Sequence, residues 1–202
     1  MIEFDHVTAI AVIGDVRPRN RKTERAVAVA AITSIITSDT IGFTLASHVV
    51  RSPKALQNWI GDVLADDPVL VGHRLPRISR LLRGAGLDYN LCGSFRADAR
   101  HDVAEISGGR MVPLVVSALD ANMLAVDERA LAARWGPPCE GHVLAGLATI
   151  NAVATWALFV HRIAHGRNQV LLRERELTRL AQDLVRGGAT TVLTASVAPS
   201  IH

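Results

Sequence analysis

The chain has little cysteine, almost no lysine and none of the common phosphate or nucleophile motifs. Its two cysteines, Cys92 and Cys139, are far apart and in no CxxC pairing. Neither a disulfide framework nor a structural zinc site is supported by such spacing. No GxxxxGK[ST] loop is present and no GxGxxG follows the first apolar run, which leaves out the usual nucleotide cradles. No GxSxG elbow or HExxH helix occurs either. The N-terminal MIEFDHVTAI lacks a basic segment followed by an apolar one, so no secretory leader is expected. The longest apolar stretch, 143–160, is interrupted by Gly146, Thr149, Asn151 and Thr155. It falls short of ~18 unbroken apolar residues and reads as a buried helix, with a cytoplasmic protein and no membrane partner as the expectation.

Of the 22 basic residues only Lys22 and Lys54 are lysines, and the formal net charge is +3. An arginine-rich balance can reflect genome composition as readily as nucleic-acid binding. Its distribution says more. Arg17, Arg19, Arg21, Lys22 and Arg25 crowd into residues 17–25 with a single acid, Glu24. Such a cluster can neutralise phosphates, or it can be a solvated loop.

The 202 residues are 49% hydrophobic, enough for one substantial core. Three apolar runs (8–13, 26–36 and 40–50) joined by short connections predict an antiparallel meander. Ser52-Pro53 opens a helix with Leu56, Trp59, Ile60, Val63 and Leu64 on one face, stopped at Asp66-Asp67-Pro68. A short strand at 69–71 and a helix from Pro76 to Arg83 follow. Ala99 to Ile106 reads as a short helix, and 127–135 as another before Gly136-Pro137-Pro138. Residues 143–165 form the most buried helix, and 170–185 an amphipathic one. The expected class is α/β, a single domain over 1–187, with 188–202 as a tail or an extra strand.

Several local patterns give this order a family likeness. IAVIGDVRP ends a first strand at Asp15, PVLVGHRLPRISRLL joins strand to helix, and TINAVATWALFVHR lies on a late helix. Together with ADARHDVAEISGG they resemble the motifs of the DEDD 3′–5′ exonuclease superfamily, nearest to the bacterial branch related to polymerase proofreading domains. The resemblance spans about residues 7–165. It implies a ribonuclease H-like mixed sheet flanked by helices, here with an extra C-terminal amphipathic helix.

That family hydrolyses phosphodiesters with two Mg²⁺ or Mn²⁺ ions held by four carboxylates, because hard cations require several anionic oxygens. The resemblance keeps one acid, Asp15, as a weak metal candidate. It puts Arg17 at the Glu position, Ser79 at the second Asp and Asn151 at the third. His142, nine residues before Asn151, is the nearest substitute for the family's general base. Each has a structural reading too: Asp15 as a turn former, Asn151 as a hydrogen-bonded relic, His142 as a helix-start residue. His73 reads as a structural histidine, and Trp59, Trp135 and Trp156 as core.

The expectation is an exonuclease-like protein without metal-dependent cleavage or a cofactor, binding single-stranded nucleic acid or a protein. Arg17, Arg19, Arg21, Lys22 and Arg25 would then contact phosphates. One alternative is an active Mg²⁺ or Mn²⁺ nuclease with rearranged ligands such as Asp15, Asp98, Asp102 or Glu140. Another is a structural, partner-binding homodimer.

Overall fold

A computed structural model of the chain describes residues 6–15, 24–36, 40–65, 68–88, 100–104, 141–167 and 193–196. Three long strands come first: β1 (His6–Gly14), β2 (Ala26–Ile36) and β3 (Thr40–Val49). Their runs of Val, Ile and Ala pair antiparallel throughout, β1 with β2 and β2 with β3. Helix α1 (Pro53–Val63) begins where expected: the Ser52 hydroxyl accepts from the Ala55 N–H at 3.2 Å, and Pro occupies the first turn. Strand β4 (Val69–Gly72) runs parallel to β1, helix α2 (Leu75–Gly84) follows, and β5 (Arg100–Asp102) runs parallel to β4. Helix α3 (Gly141–Arg167) and strand β6 (Leu193–Ser196) complete the described elements.

The sheet order is β5-β4-β1-β2-β3, with β6 added antiparallel at the outer side of β3. This is a mixed α/β sheet, and β1 at its centre is buried on both faces. Val7, Ala9, Ala11 and Ile13 point to one side with Ala28, Ala30, Phe43 and α3. Ile10 and Val12 point to the other with Leu56 and Ile60 of α1 and Ile78 and Leu81 of α2. Period-2 alternation therefore has no polar face to show, and β1 reads as one apolar run.

Alanine lines both sides of the α3 contact, at Ala9, Ala11, Ala28 and Ala30 on the sheet and Ala148 and Ala152 on the helix. Short side chains let the helix approach the sheet closely. Trp156 joins this seam: it is fully buried, meets Phe43 edge-on at 5.0 Å, and donates its indole N–H to Ser34 Oγ at 2.9 Å. Residues Gly141–Phe159 are long and apolar enough to cross a membrane by length and composition, with 56% of that stretch buried. Every position from Asn151 to Phe159 is buried, the pattern of a helix enclosed by protein.

The meander, α1, β4 and α2 lie within a residue or two of their predicted bounds. The predicted helix over Ala99–Ile106 is replaced, at Arg100–Asp102, by strand β5. Its Leu70–Arg100 to Gly72–Asp102 pairing with β4 is a long-range contact that local periodicity does not carry. The extra strand allowed for the tail is β6. The helices expected at 127–135 and 170–185, and Trp135, lie outside the described residues.

Candidate functional site

In open α/β sheets, ligands bind outside the carboxyl ends of the strands. Here β1, β4 and β5 are parallel, so Gly14-Asp15, Gly72-His73 and Asp102 come to one edge. The β1–β2 pairing shifts between Ile13 and Gly14, leaving Val27 as an extra residue. Such a bulge sharpens the twist where a strand enters a loop. The Asp15 N–H donates to the Arg25 carbonyl at 2.9 Å and closes the base of the basic 17–22 segment.

Helix α2 crosses this edge. It starts beside Asp102, passes Gly14 at Leu81, and ends with Gly84 against the backbone of Glu24. Its start is built by backbone strain and one carboxylate. Arg74 adopts a left-handed conformation (φ 61°), which the Cβ of an L-residue disfavours. The Asp102 carboxylate holds the turn: Oδ1 accepts the N–H of Arg74 at 2.8 Å and of Ala104 at 2.9 Å, and Oδ2 accepts that of Leu75 at 2.7 Å. Asp102 thus caps α2, although it lies 28 residues away from Arg74 in sequence. This gives the side chain, one of the alternative ligands above, a structural role fixed by three N–H groups.

The described residues that the resemblance aligned come from three different parts of the fold. Asp15 sits at the edge after β1. On α2, Arg77 approaches the Gly14 end of β1. Ser79, two residues on, is turned about 200° round the axis from Arg77. Asn151 is on α3, packed on the opposite face of the sheet from α2. It is 8% exposed and ten residues (151 − 141) into the helix, about 15 Å from its start. The part of α3 nearest the carboxyl edge is its first turn, where Gly141 packs on Val49 and His142 is exposed. Arg25 is exposed at the start of β2, while Arg17, Arg19, Arg21 and Lys22 lie outside the described residues.

Sequence reading had not singled out the arginines of α2. Arg74, Arg77 and Arg80, with Pro76, Asp102 and Ala104, line an open groove of about 440 Å³. Arg80 Nη2 donates to Glu24 Oε2 at 3.2 Å; the arginine is 54% exposed and the acid 15%. The signal was present as an arginine every third residue from 74 to 83 with no acid between. Among the described residues no three His, Cys, Asp or Glu side chains stand close enough to share a metal ion. Asp98 and Glu140 lie outside those residues.

Among the described histidines, His48 has a shifted pKa. His48 of β3 stacks on Trp59 of α1 at 6.2 Å. Burial, and then the charge of Arg51, lower its pKa from the ordinary 6.5. Its Nε2 is buried without a hydrogen-bond partner.

Comparison with protein-family profiles, curated proteins and solved structures finds no match.

Proposed function

We propose that the chain is a ribonuclease H-like, 3′–5′ exonuclease-like protein that has lost metal-dependent cleavage and binds nucleic acid at the carboxyl edge of its sheet. One observation carries the reading. The described elements run as three antiparallel strands, helix, parallel strand, helix, parallel strand and long helix, in one mixed sheet with helices on both faces. That succession is what the motif resemblance implies, and it puts Asp15 and the root of the basic segment at the edge where ligands of such sheets bind.

The chemistry at this edge supports binding over hydrolysis. A pair of divalent cations needs several carboxylates to share its charge. Asp15 has Arg77 approaching the adjoining Gly14, and Asp102 is engaged by backbone N–H groups. Guanidinium groups here favour phosphate and disfavour metal.

The test is a Mg²⁺ and Mn²⁺ titration with end-labelled single-stranded DNA. The expected result is salt-dependent binding with no shortening of the strand. Metal-dependent degradation that Asp15→Ala abolishes would show an active nuclease with rearranged ligands. Absence of any binding would leave the fold reading without its function.

A further inference from the structure

The carboxyl edge of the sheet includes the end of β3. Ile13 of β1 pairs with Ala28 of β2, and Ala28 with Val49 of β3, so His48 and Val49 come out at the edge that carries Asp15. The turn after β3 is tied to the start of β2, where the Val50 N–H donates to the Val27 carbonyl at 2.9 Å. Arg51, one residue beyond this bond, and Arg25, two residues before it, are both exposed. The starts of β2 and α1 therefore share one surface, and each brings an exposed arginine to it.

An aromatic pair lies next to Arg51. On α1, Leu56 and Ile60 are fully buried, whereas Trp59 is half-buried and keeps part of its indole in solvent. Trp156 shows the contrast: a tryptophan that this fold uses for packing is enclosed completely and has its N–H bonded. The His48 ring lies 22° from parallel to Trp59, with 6.2 Å between centroids, and holds the indole against the sheet. Burial and the nearby Arg51 charge disfavour the imidazolium, so His48 is neutral at pH 7. The pair is thus an uncharged π surface beside a cation.

Resting on the nucleic-acid reading above, we infer that Trp59, held by His48, is a base-stacking site, taking one base of a single strand while Arg51 holds an adjoining phosphate. Aromatic side chains beside cations are how single strands are bound without regard to sequence, because every base has a π face. The guanidinium fork of Arg51 matches phosphate oxygens in pairs. Stacking against a ring already fixed by the sheet costs little ordering on binding.

The experiment is fluorescence anisotropy with the full chain, without divalent metal, over a series of salt concentrations. It compares a labelled oligothymidylate with a strand of the same length that lacks its bases. The native chain binds the oligothymidylate more tightly. Trp59→Ala weakens that binding about tenfold, within the range one stacked base contributes, and Trp59→Phe keeps most of it. Neither variant changes affinity for the abasic strand. Arg51→Gln weakens both strands and lowers the slope of log K against log[salt] by about 0.7, one phosphate contact. A variant that misfolds loses both strands alike, so the difference between strands reads the stack itself. If Trp59→Ala leaves the oligothymidylate affinity unchanged, or lowers both strands equally, the stacking site is wrong and the nucleic-acid reading stands. If the native chain binds neither strand, both fall.

Discussion

At the scale of single residues, the turn into α2 sets a strained arginine against a well-placed carboxylate. Left-handed backbone costs an L-residue about 1–2 kcal/mol, and glycine pays none of the Cβ part. Arg74→Gly keeps the N–H that Asp102 accepts, so it is expected to raise stability by about 1 kcal/mol in urea denaturation, less whatever glycine loses through its freer unfolded state. Asp102→Ala does the opposite. It leaves two N–H groups at the helix start, and that of Ala104 after β5, without their acceptor and costs about 1–3 kcal/mol. A loss well below 1 kcal/mol would mean that water replaces the carboxylate.

His48 gives a pH dependence of definite sign. Its folded pKa lies below the unfolded 6.5, because burial and the Arg51 charge disfavour the imidazolium. The unfolded state therefore binds more protons below pH 6.5. The contribution of neutral His48 is fully present above 6.5 and declines as pH falls through 6.5 toward the folded value. Native chain and His48→Gln are compared by urea midpoints at pH 7.5 and 5.5. The native chain is expected to lose more on acidification than the variant, which lacks the imidazole. Equal losses would assign the whole effect to those other groups.

At the scale of elements, legibility followed the reach of the forces. The three long strands and α1 announce themselves locally: Val/Ile/Ala runs for the sheet, Ser52-Pro53 and the Leu56–Ile60 face for the helix. β5 does not, since three residues, Arg100, His101 and Asp102, are strand only because Leu70 to Gly72 lie alongside them. Its residues carry no β-branched or aromatic signal, and the stretch from Ala99 to Ile106 reads as a short helix from sequence. The capping of α2 by Asp102 was invisible for the same reason. Asn151 was correctly put on the late helix, but a motif spacing gives no depth along it. Only the packing of Gly141 on Val49 and of Trp156 on Ser34 shows that Asn151 lies well below the edge. The arginine row was visible in sequence as a repeat; its position at the carboxyl edge was not.

At the scale of the whole molecule, the question is whether the two basic segments act as one surface. Among the described residues, Gly84 of α2 lies against the Glu24 backbone, and Arg80 pairs with the Glu24 carboxylate. A Cβ at residue 84 would collide with the Glu24 carbonyl oxygen, and that atom is backbone, which yields only if the start of β2 moves. Gly84→Ala therefore overpacks the joint at a cost of about 1–3 kcal/mol and shifts the root of the basic segment away from α2. It changes no charge. If one strand spans both segments, the second engagement depends on their relative placement, through the effective concentration that the tether sets. The expected outcome is a several-fold loss of single-strand affinity measured by anisotropy below the variant's melting range, against an unchanged far-UV circular dichroism spectrum. An unchanged affinity would instead mean that the row on α2 and the segment after Asp15 hold phosphates independently, each with its own strand.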